Sequence, residues 1–313
     1  MVVSPLAYYT FFALKPVFFE LPVLGPLYAY MTLLMVGFTL AIWITRRDED
    51  RLGRNGDRVV DLGLLMLVCG IVGARLLSVV ADGKLHDFVN LCTDPKLVEA
   101  VDAKVRVCSA DAQCGWDYLC DLERQRCYPP RDCLAALKFW QGGLAFYGGF
   151  LFAAPVGLYY AKRKQLGLLR VADMCSPVVA LGLFFGRMGC FLNGCCYGRP
   201  TELPWGVDFP TLAGHAHVHP TQLYEAIGSL ALWALLYWVA RPHKRRHGDV
   251  FAWFLIGYGV LRFALEFLRA DERGALAGLS TSQWIGIPLI VWGVFWLLKR
   301  HDSPRPPAPD PRA

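Results

Sequence analysis

Long apolar blocks separated by short polar stretches make up most of this chain. Apolar residues within each block cover every side of a helix and leave no polar stripe, as expected for helices surrounded by lipid. A helix needs about 20 mostly apolar residues to cross a bilayer. The pattern therefore predicts about seven membrane-spanning helices, at residues 21–45, 59–80, 142–161, 171–190, 223–240, 250–268 and 284–298.

Composition supports a membrane protein, because 55% of the residues are hydrophobic and only 19% are charged. Soluble domains carry about 25% charged residues. The apolar blocks recur almost to the end of the chain, so we predict one all-α integral membrane domain at 1–302. A Pro-rich segment at 303–313 is predicted to be disordered. No cleavable signal peptide is evident, and the first block is expected to be retained as a span.

Basic residues cluster after each odd-numbered block, and this bias predicts the orientation. Loops on the cytoplasmic side of a membrane carry an excess of Lys and Arg, so the N-terminus is predicted outside and the C-terminus in the cytoplasm. The alternative is six spans, with the first or last block lying in the interface. Because the basic residues occupy these loops, the net charge of +6 does not indicate a nucleic-acid partner. The clusters are Arg46, Arg47, Arg51, Arg54 and Arg58; Lys162, Arg163, Lys164 and Arg170; Arg241, Lys244, Arg245 and Arg246; and Lys299 and Arg300.

Six of the eleven cysteines lie in one polar loop at 92–133, which this orientation places outside the cytoplasm. An even number of cysteines in an oxidising compartment predicts three disulfides, although fifteen pairings are possible. Zinc binding is the competing interpretation, but the loop has no CxxC motif and hardly any His. The cysteines are Cys92, Cys108, Cys114, Cys120, Cys127 and Cys133.

Charged side chains that fall within the apolar blocks each need a partner or a function. Arg262 and Glu266 are four residues apart, so they share one helix face and can pair. Arg75 and Arg187 have no acidic neighbour at helical spacing, and Glu225 lies near the outer end of its block. The planar guanidinium group suits phosphate, so several arginines in an outward-opening cavity predict a site for an anionic lipid head group.

Three Gly-rich or polar stretches, at 142–149, 186–198 and 219–225, are all predicted at the outer mouth of the bundle. Glycines allow a tight, non-helical backbone with exposed amide groups that can bind anions. Their convergence on one side predicts a binding site there.

The motifs His219-Pro-Thr-Gln-Leu-Tyr-Glu225 and Arg262-Phe-Ala-Leu-Glu266 resemble those of the prolipoprotein diacylglyceryl transferase family of bacterial inner membranes. The resemblance covers nearly the whole chain, except that the loop at 92–133 looks like an insertion. It implies seven spans with an outside N-terminus. It also implies transfer of the diacylglyceryl group of phosphatidylglycerol to the lipobox Cys thiol of a prolipoprotein. Glycerol phosphate would be released, and neither a metal nor a cofactor would be needed.

The resemblance also implies roles for individual residues. Those expected to take part in the reaction are Arg187, Arg262, Tyr224, Tyr147 and His219. Those expected to bind the substrates are Arg187, Asn193, Gly148, Gly149, Arg75, Glu266 and Arg269.

The chain departs from the family pattern at three positions. Tyr147 stands where the family usually has a His, Cys190 where it has an Asn, and Cys195 where it has an acid. Tyrosine is a weaker base than imidazole at neutral pH, so the proton acceptor is open. The candidates are His215, His217, His219 and Glu225.

Two other classes of function compete with the transferase. One is a membrane thiol-redox protein that uses Cys190, Cys195 and Cys196, which the lack of a CxxC motif disfavours. The other is a transporter or a non-catalytic lipid-binding protein of the same fold. A transporter is disfavoured because the sequence shows no internal repeat.

Overall fold

The computed structural model describes residues 17–21, 25–81, 85–98, 108–111, 114, 119–138, 145–209, 217–270, 275–276 and 278–299. The predicted tail at 303–313 and His215 lie outside these residues. The chain divides into two compact units, Met1–Val60 with Gln165–Ala313, and Asp61–Lys164. They are called the large unit and the small unit.

Helices account for most of the described structure. In chain order they are α1 (Ala29–Arg51), α2 (Asp57–Ala81), α3 (Leu85–Thr93), α4 (Phe146–Arg163), α5 (Leu168–Leu192), α6 (Thr221–Ala234), α7 (Asp249–Glu266) and α8 (Thr281–Leu298). A π-helical segment, Leu235–Ala240, and a last turn, Arg241–His243, continue α6. The prediction of an all-α chain missed three short antiparallel hairpins: β1 (Val17–Leu21) with β2 (Gly25–Tyr28), β3 (Leu119–Asp121) with β4 (Arg126–Tyr128), and β5 (Ala275–Leu276) with β6 (Leu279–Ser280).

Among the described residues, five helices are long and apolar enough to cross a membrane: Ala29–Arg51, Asp57–Val80, Leu168–Leu192, Thr221–His243 and Thr281–Leu298. Each of the seven predicted blocks overlaps one long helix. However, α4 ends in two basic residues, and α7 carries Asp249, Arg262 and Glu266 within 18 residues. A mostly helical protein with several candidate spans is therefore established, and the count of seven stays a prediction.

In the large unit, α5 packs against α1, α6 and α7, and α8 packs against α7. Ala180 of α5 meets Leu232, Leu236 and Val250 in a buried apolar cluster. Near the other end of α5, a Cβ atom on Gly189 would lie 2.7 Å from the ring of Tyr30. Only a glycine lets α1 approach α5 this closely, and the contact fixes the end of α5 that leads to the candidate site.

Buried acidic groups hold several of the basic residues that follow the apolar blocks. Asp48 accepts hydrogen bonds from Arg241 and from the hydroxyl of Tyr237. Glu49 pairs with Arg170. These ion pairs join the C-terminal ends of α1 and α6 to the start of α5, a function of the basic clusters that charge bias alone did not show.

In the small unit, α2 and α4 cross with their backbones in contact. A Cβ atom on Gly148 would lie 2.3 Å from the carbonyl oxygen of Gly73, and one on Gly73 would lie 2.5 Å from that of Gly148. Small residues permit such close crossings between apolar helices. Arg75 of α2 donates hydrogen bonds to the carbonyl oxygens of Ala135, at 2.6 Å, and Ala136, at 2.8 Å.

The polar loop of the small unit holds three disulfides, Cys92–Cys133, Cys108–Cys120 and Cys114–Cys127. The prediction of three disulfides is confirmed, and one of the fifteen pairings is selected. Cys120 lies opposite Cys127 in the β3–β4 hairpin. All six sulfur atoms are bonded in pairs, so this arrangement gives no support to the zinc interpretation.

Candidate active site

Two arginines and two glutamates from three helices form one buried cluster in the large unit. Arg187 of α5 places Nε 3.0 Å from Oε2 of Glu225 on α6. Arg262 of α7 places Nη1 3.6 Å from that same oxygen and Nη2 3.0 Å from Oε2 of Glu266. These four residues are called the arginine–glutamate cluster. The predicted pairing of Arg262 with Glu266 is confirmed.

Burial makes this cluster energetically demanding. Glu225 is 1% exposed and Arg262 is 8% exposed, so both charges are largely removed from water. Within the described part of the chain, Glu225 Oε1 and Arg262 Nη1 have no hydrogen-bond partner. Buried polar atoms are normally satisfied by protein, water or a ligand. Arg262 Nη1 is a donor of this kind, and an anionic oxygen of a ligand would satisfy it.

A hydrogen-bonded trio lies at the start of α6. The indole Nε1 of Trp205 donates to the hydroxyl oxygen of Tyr224 at 2.9 Å, and Nδ1 of His219 lies 3.3 Å from that oxygen. The Tyr224 hydroxyl can donate to His219 Nδ1 or accept from it, according to the tautomer of the imidazole ring. The trio therefore fixes the ring orientations of two residues that were expected to take part in the reaction.

The connection between α5 and α6 is folded back on itself by backbone hydrogen bonds. Gly198 N donates to His219 O at 2.8 Å, and Arg199 N donates to Leu268 O at 2.8 Å. A Cβ atom on Gly198 would lie 2.4 Å from Leu268 O, so the approach requires a glycine. This pairing places Arg269, which is 4% exposed, beside the connection.

Two further residues of the large unit were expected at the site. Asn193 is the C-terminal cap of α5 and is exposed, with Nδ2 3.9 Å from Sγ of Cys195. His217, one candidate proton acceptor, pairs with Asp208 at 3.1 Å and is exposed.

Hydrogen bonds from the thiols of Cys190 and Cys195, together with the nearby guanidinium group of Arg187, lower the pKa of the Cys196 thiol.

Four expected site residues belong to the small unit, and their roles stay predictions. Tyr147 is 70% exposed on the first turn of α4. Gly148 and Gly149 lie where α4 meets α2, so helix packing already accounts for these glycines. Arg75 donates to main-chain carbonyls, as described above.

Sequence reasoning missed two contacts of the cluster. Arg187 has no acidic neighbour at helical spacing in its own helix, but Glu225 pairs with it from another helix. Ser282, at the start of α8, accepts a hydrogen bond from Arg262 Nη2 at 3.2 Å. Both partners are distant in sequence, so no helical spacing could have indicated them.

These features define a mostly helical protein with several helices able to cross a membrane and with a buried cluster of two arginines and two glutamates. The chain belongs to the prolipoprotein diacylglyceryl transferase family, whose sequence profile matches residues 16–101 and 118–299. The profile leaves out residues 102–117 of the cysteine-rich loop but matches 92–101 and 118–133, so the expectation that the whole loop is an insertion is not confirmed.

Curated relatives agree with this assignment. The phosphatidylglycerol–prolipoprotein diacylglyceryl transferase of Clostridium tetani is 33% identical over 285 residues, which cover 90% of this chain and 96% of that protein. The enzyme of the same name from Methylobacillus flagellatus is 45% identical over 166 residues, 52% of this chain and 62% of that protein. The one from Polynucleobacter asymbioticus is 39% identical over 173 residues, 54% of this chain and 66% of that protein.

Proposed function

We propose that this chain transfers the diacylglyceryl group of phosphatidylglycerol to the lipobox cysteine thiol of prolipoproteins. A bond forms between the thiol sulfur and the terminal glyceryl carbon, while the bond from that carbon to the phosphate oxygen breaks. Glycerol phosphate leaves, and the thiol proton passes to a base. The arginine–glutamate cluster is the observation that carries this proposal, because it offers buried guanidinium groups to the leaving phosphate in a member of this family.

The two arginines of the cluster act on the phosphate. Negative charge on the leaving group rises as the bond breaks, and fixed guanidinium groups in a buried site stabilise that charge more than water would. Glu225 and Glu266 hold Arg187 and Arg262 in place before the substrate arrives. Arg269 adds a third cation nearby. Positioned in this way, the donors need little rearrangement during the reaction.

His219 is our candidate for the proton acceptor. A positioned base typically contributes about 10²- to 10⁴-fold to a rate. Tyr224 contacts Nδ1 of the His219 ring, and the His219 backbone pairs with Gly198 and Arg199, so both the ring and its main chain are held in place. The alternative is that His219 only supports this fold of the connection. With His219 as the base, Tyr147 acts as a hydrogen-bond donor to lipid or phosphate.

The membrane arrangement follows from the charge bias and from the family. We infer seven spans in the bacterial inner membrane, with the N-terminus outside and the C-terminus in the cytoplasm. The cysteine-rich insertion then faces the oxidising side, where disulfides persist. Phosphatidylglycerol reaches the site from the bilayer, together with the signal peptide of the prolipoprotein.

A reconstituted assay tests the reaction directly. The purified full chain, placed in vesicles that contain phosphatidylglycerol, is mixed with a peptide carrying a lipobox Cys. We expect mass spectrometry to show the peptide modified by one diacylglyceryl group, with an equal amount of glycerol phosphate. Replacing the peptide Cys with Ser, or phosphatidylglycerol with phosphatidylethanolamine, is expected to remove the product. No product from an intact, folded chain would overturn the proposal.

A further inference from the structure

Three cysteines outside disulfides cluster at the C-terminal end of α5. The Sγ atoms of Cys190, Cys195 and Cys196 all lie within 4.8 Å of one another. Each residue is half-buried, so the sulfur atoms are shielded yet reachable by a small ion. They are called the thiol triad. Nothing in the transfer reaction uses these three side chains.

The end of α5 explains why two of the thiols meet. Gly194 has a φ of 67°, its N–H donates to Phe191 O at 3.1 Å, and the N–H of Cys195 donates to Cys190 O at 3.2 Å. These bonds define a Schellman motif. In this motif the residue that follows the glycine packs against the residue four positions before the glycine. The motif usually joins two apolar side chains, and here it joins Cys190 and Cys195.

The third thiol depends on an unusual backbone conformation. Cys196 has a φ of 66°, in the left-handed region that residues other than glycine seldom adopt. Adjacent side chains of an extended chain point to opposite sides, whereas this conformation lets the thiol of Cys196 join that of Cys195. Such strain persists only where the surroundings impose it, and it often marks a functional position.

The start of α6 holds both adjacent cysteines by their carbonyl groups. Gln222 Nε2 donates to Cys195 O at 2.6 Å, and Thr221 Oγ1 donates to Cys196 O at 3.0 Å. Gln222 and Thr221 are each 1% exposed. The backbone at Cys195 and Cys196 is thus held in place by buried donors.

We infer that the thiol triad binds one thiophilic metal cation of the zinc type through three thiolates. Zinc–sulfur bonds of about 2.3 Å set tetrahedral sulfur atoms about 3.8 Å apart, so the triad needs to contract by only about 1 Å. Water would take the fourth position, and the three thiol protons would pass to solvent. Arg187 precedes Cys190 by about one turn of α5, and Arg269 pairs with Gly198 two residues after Cys196, so two positive charges lie close to the net negative charge of such a complex. This inference goes beyond the transfer reaction and does not depend on it.

Metal titration of the full chain tests the site. Protein purified without reductant is titrated with Cd²⁺, and the ultraviolet band for charge transfer from thiolate to metal is recorded. Zn²⁺ affinity is measured against a chromophoric chelator. We expect one ion per chain and at least about a 10-fold loss of affinity in each of C190S, C195S and C196S. The control variants C69S and C175S, at two other cysteines outside disulfides, should bind as the parent does.

A second measurement needs no variant. Zn²⁺ should slow alkylation of Cys190, Cys195 and Cys196 in the parent protein, as read by peptide mass spectrometry, and should leave Cys69 unaffected. Equal protection of Cys69, a Cd²⁺ band that persists in the triple variant, or a disulfide among the three cysteines of the purified parent would each overturn the inference.

Discussion

Glu225 is the residue on which the buried cluster depends most, because it is the carboxylate that both Arg187 and Arg262 approach. Removing one partner from a buried ion pair leaves an uncompensated charge and typically costs about 3–5 kcal/mol. We expect Glu225→Ala to lower the free energy of unfolding by about that amount, measured by denaturant titration in detergent. Glu202→Ala, at an exposed position of the same unit, is the matched control and should change it little. Equal stability of the two variants would contradict the structural role given to Glu225.

The proton acceptor is tested by comparing two side chains. If Tyr147 only donates a hydrogen bond, Tyr147→Phe should lower the transfer rate by less than about 10-fold. If His219 accepts the thiol proton, His219→Gln should lower it by at least about 100-fold. Transfer rates at saturating phosphatidylglycerol and peptide decide between them. A near-complete loss in Tyr147→Phe, with His219→Gln as active as the parent, would assign the base to Tyr147.

Sequence spacing revealed only part of the cluster. Arg262 and Glu266 share a helix, so four-residue spacing predicted their contact. Arg187 and Glu225 lie on α5 and α6, and only the packing of these helices shows that they meet. For the same reason, the hydrogen bond between Arg262 and Ser282 could not be predicted from the sequence.

At the scale of elements, the crossing of α2 and α4 makes a sharp prediction about glycines. A Cβ atom on Gly148 would overlap the backbone of α2, so the helices would have to separate. Overpacking of this kind typically costs about 1–3 kcal/mol. We expect Gly148→Ala to reduce the unfolding free energy accordingly, measured by denaturant titration in detergent.

The matched control for this glycine is Gly182→Ala. A Cβ atom at Gly182 in α5 would meet nothing within 4 Å, so the substitution should be neutral or slightly stabilising. If both alanine variants were equally stable, the close crossing of α2 and α4 would be wrong.

Elements themselves were largely predictable from hydrophobic periodicity. Each apolar block of the sequence became a long helix because lipid-facing and buried faces are both apolar. The short hairpins were not predicted, because their strands of two to five residues are too short to show an alternating pattern of apolar and polar residues. The folded connection before α6 was not predicted, because its backbone pairings, such as that of Gly198 with Arg269, join segments far apart in sequence. The number of disulfides was predictable from cysteine count, whereas their pairing depends on how the loop folds.

At the scale of the whole molecule, the charge bias predicts which side of the membrane each loop faces. We expect a reporter that is active only in the cytoplasm to be active when fused to the C-terminus. An impermeant label should modify a tag inserted in the cysteine-rich loop of intact cells. Each basic cluster then lies where the positive-inside rule requires. A cytoplasmic cysteine-rich loop would contradict the proposed orientation.

The central claim is that the arginine–glutamate cluster stabilises the leaving phosphate, and Arg187 tests it most directly. The measurement is the rate of diacylglyceryl transfer from phosphatidylglycerol to a lipobox peptide by Arg187→Ala, Arg187→Lys and the exposed-arginine control Arg47→Ala. Loss of a donor to developing negative charge costs about 10²- to 10³-fold in turnover. We predict that loss in Arg187→Ala, poor rescue in Arg187→Lys because the planar fork of donors is missing, and parental activity in Arg47→Ala. A folded Arg187→Ala variant that transfers at the parental rate would contradict the account.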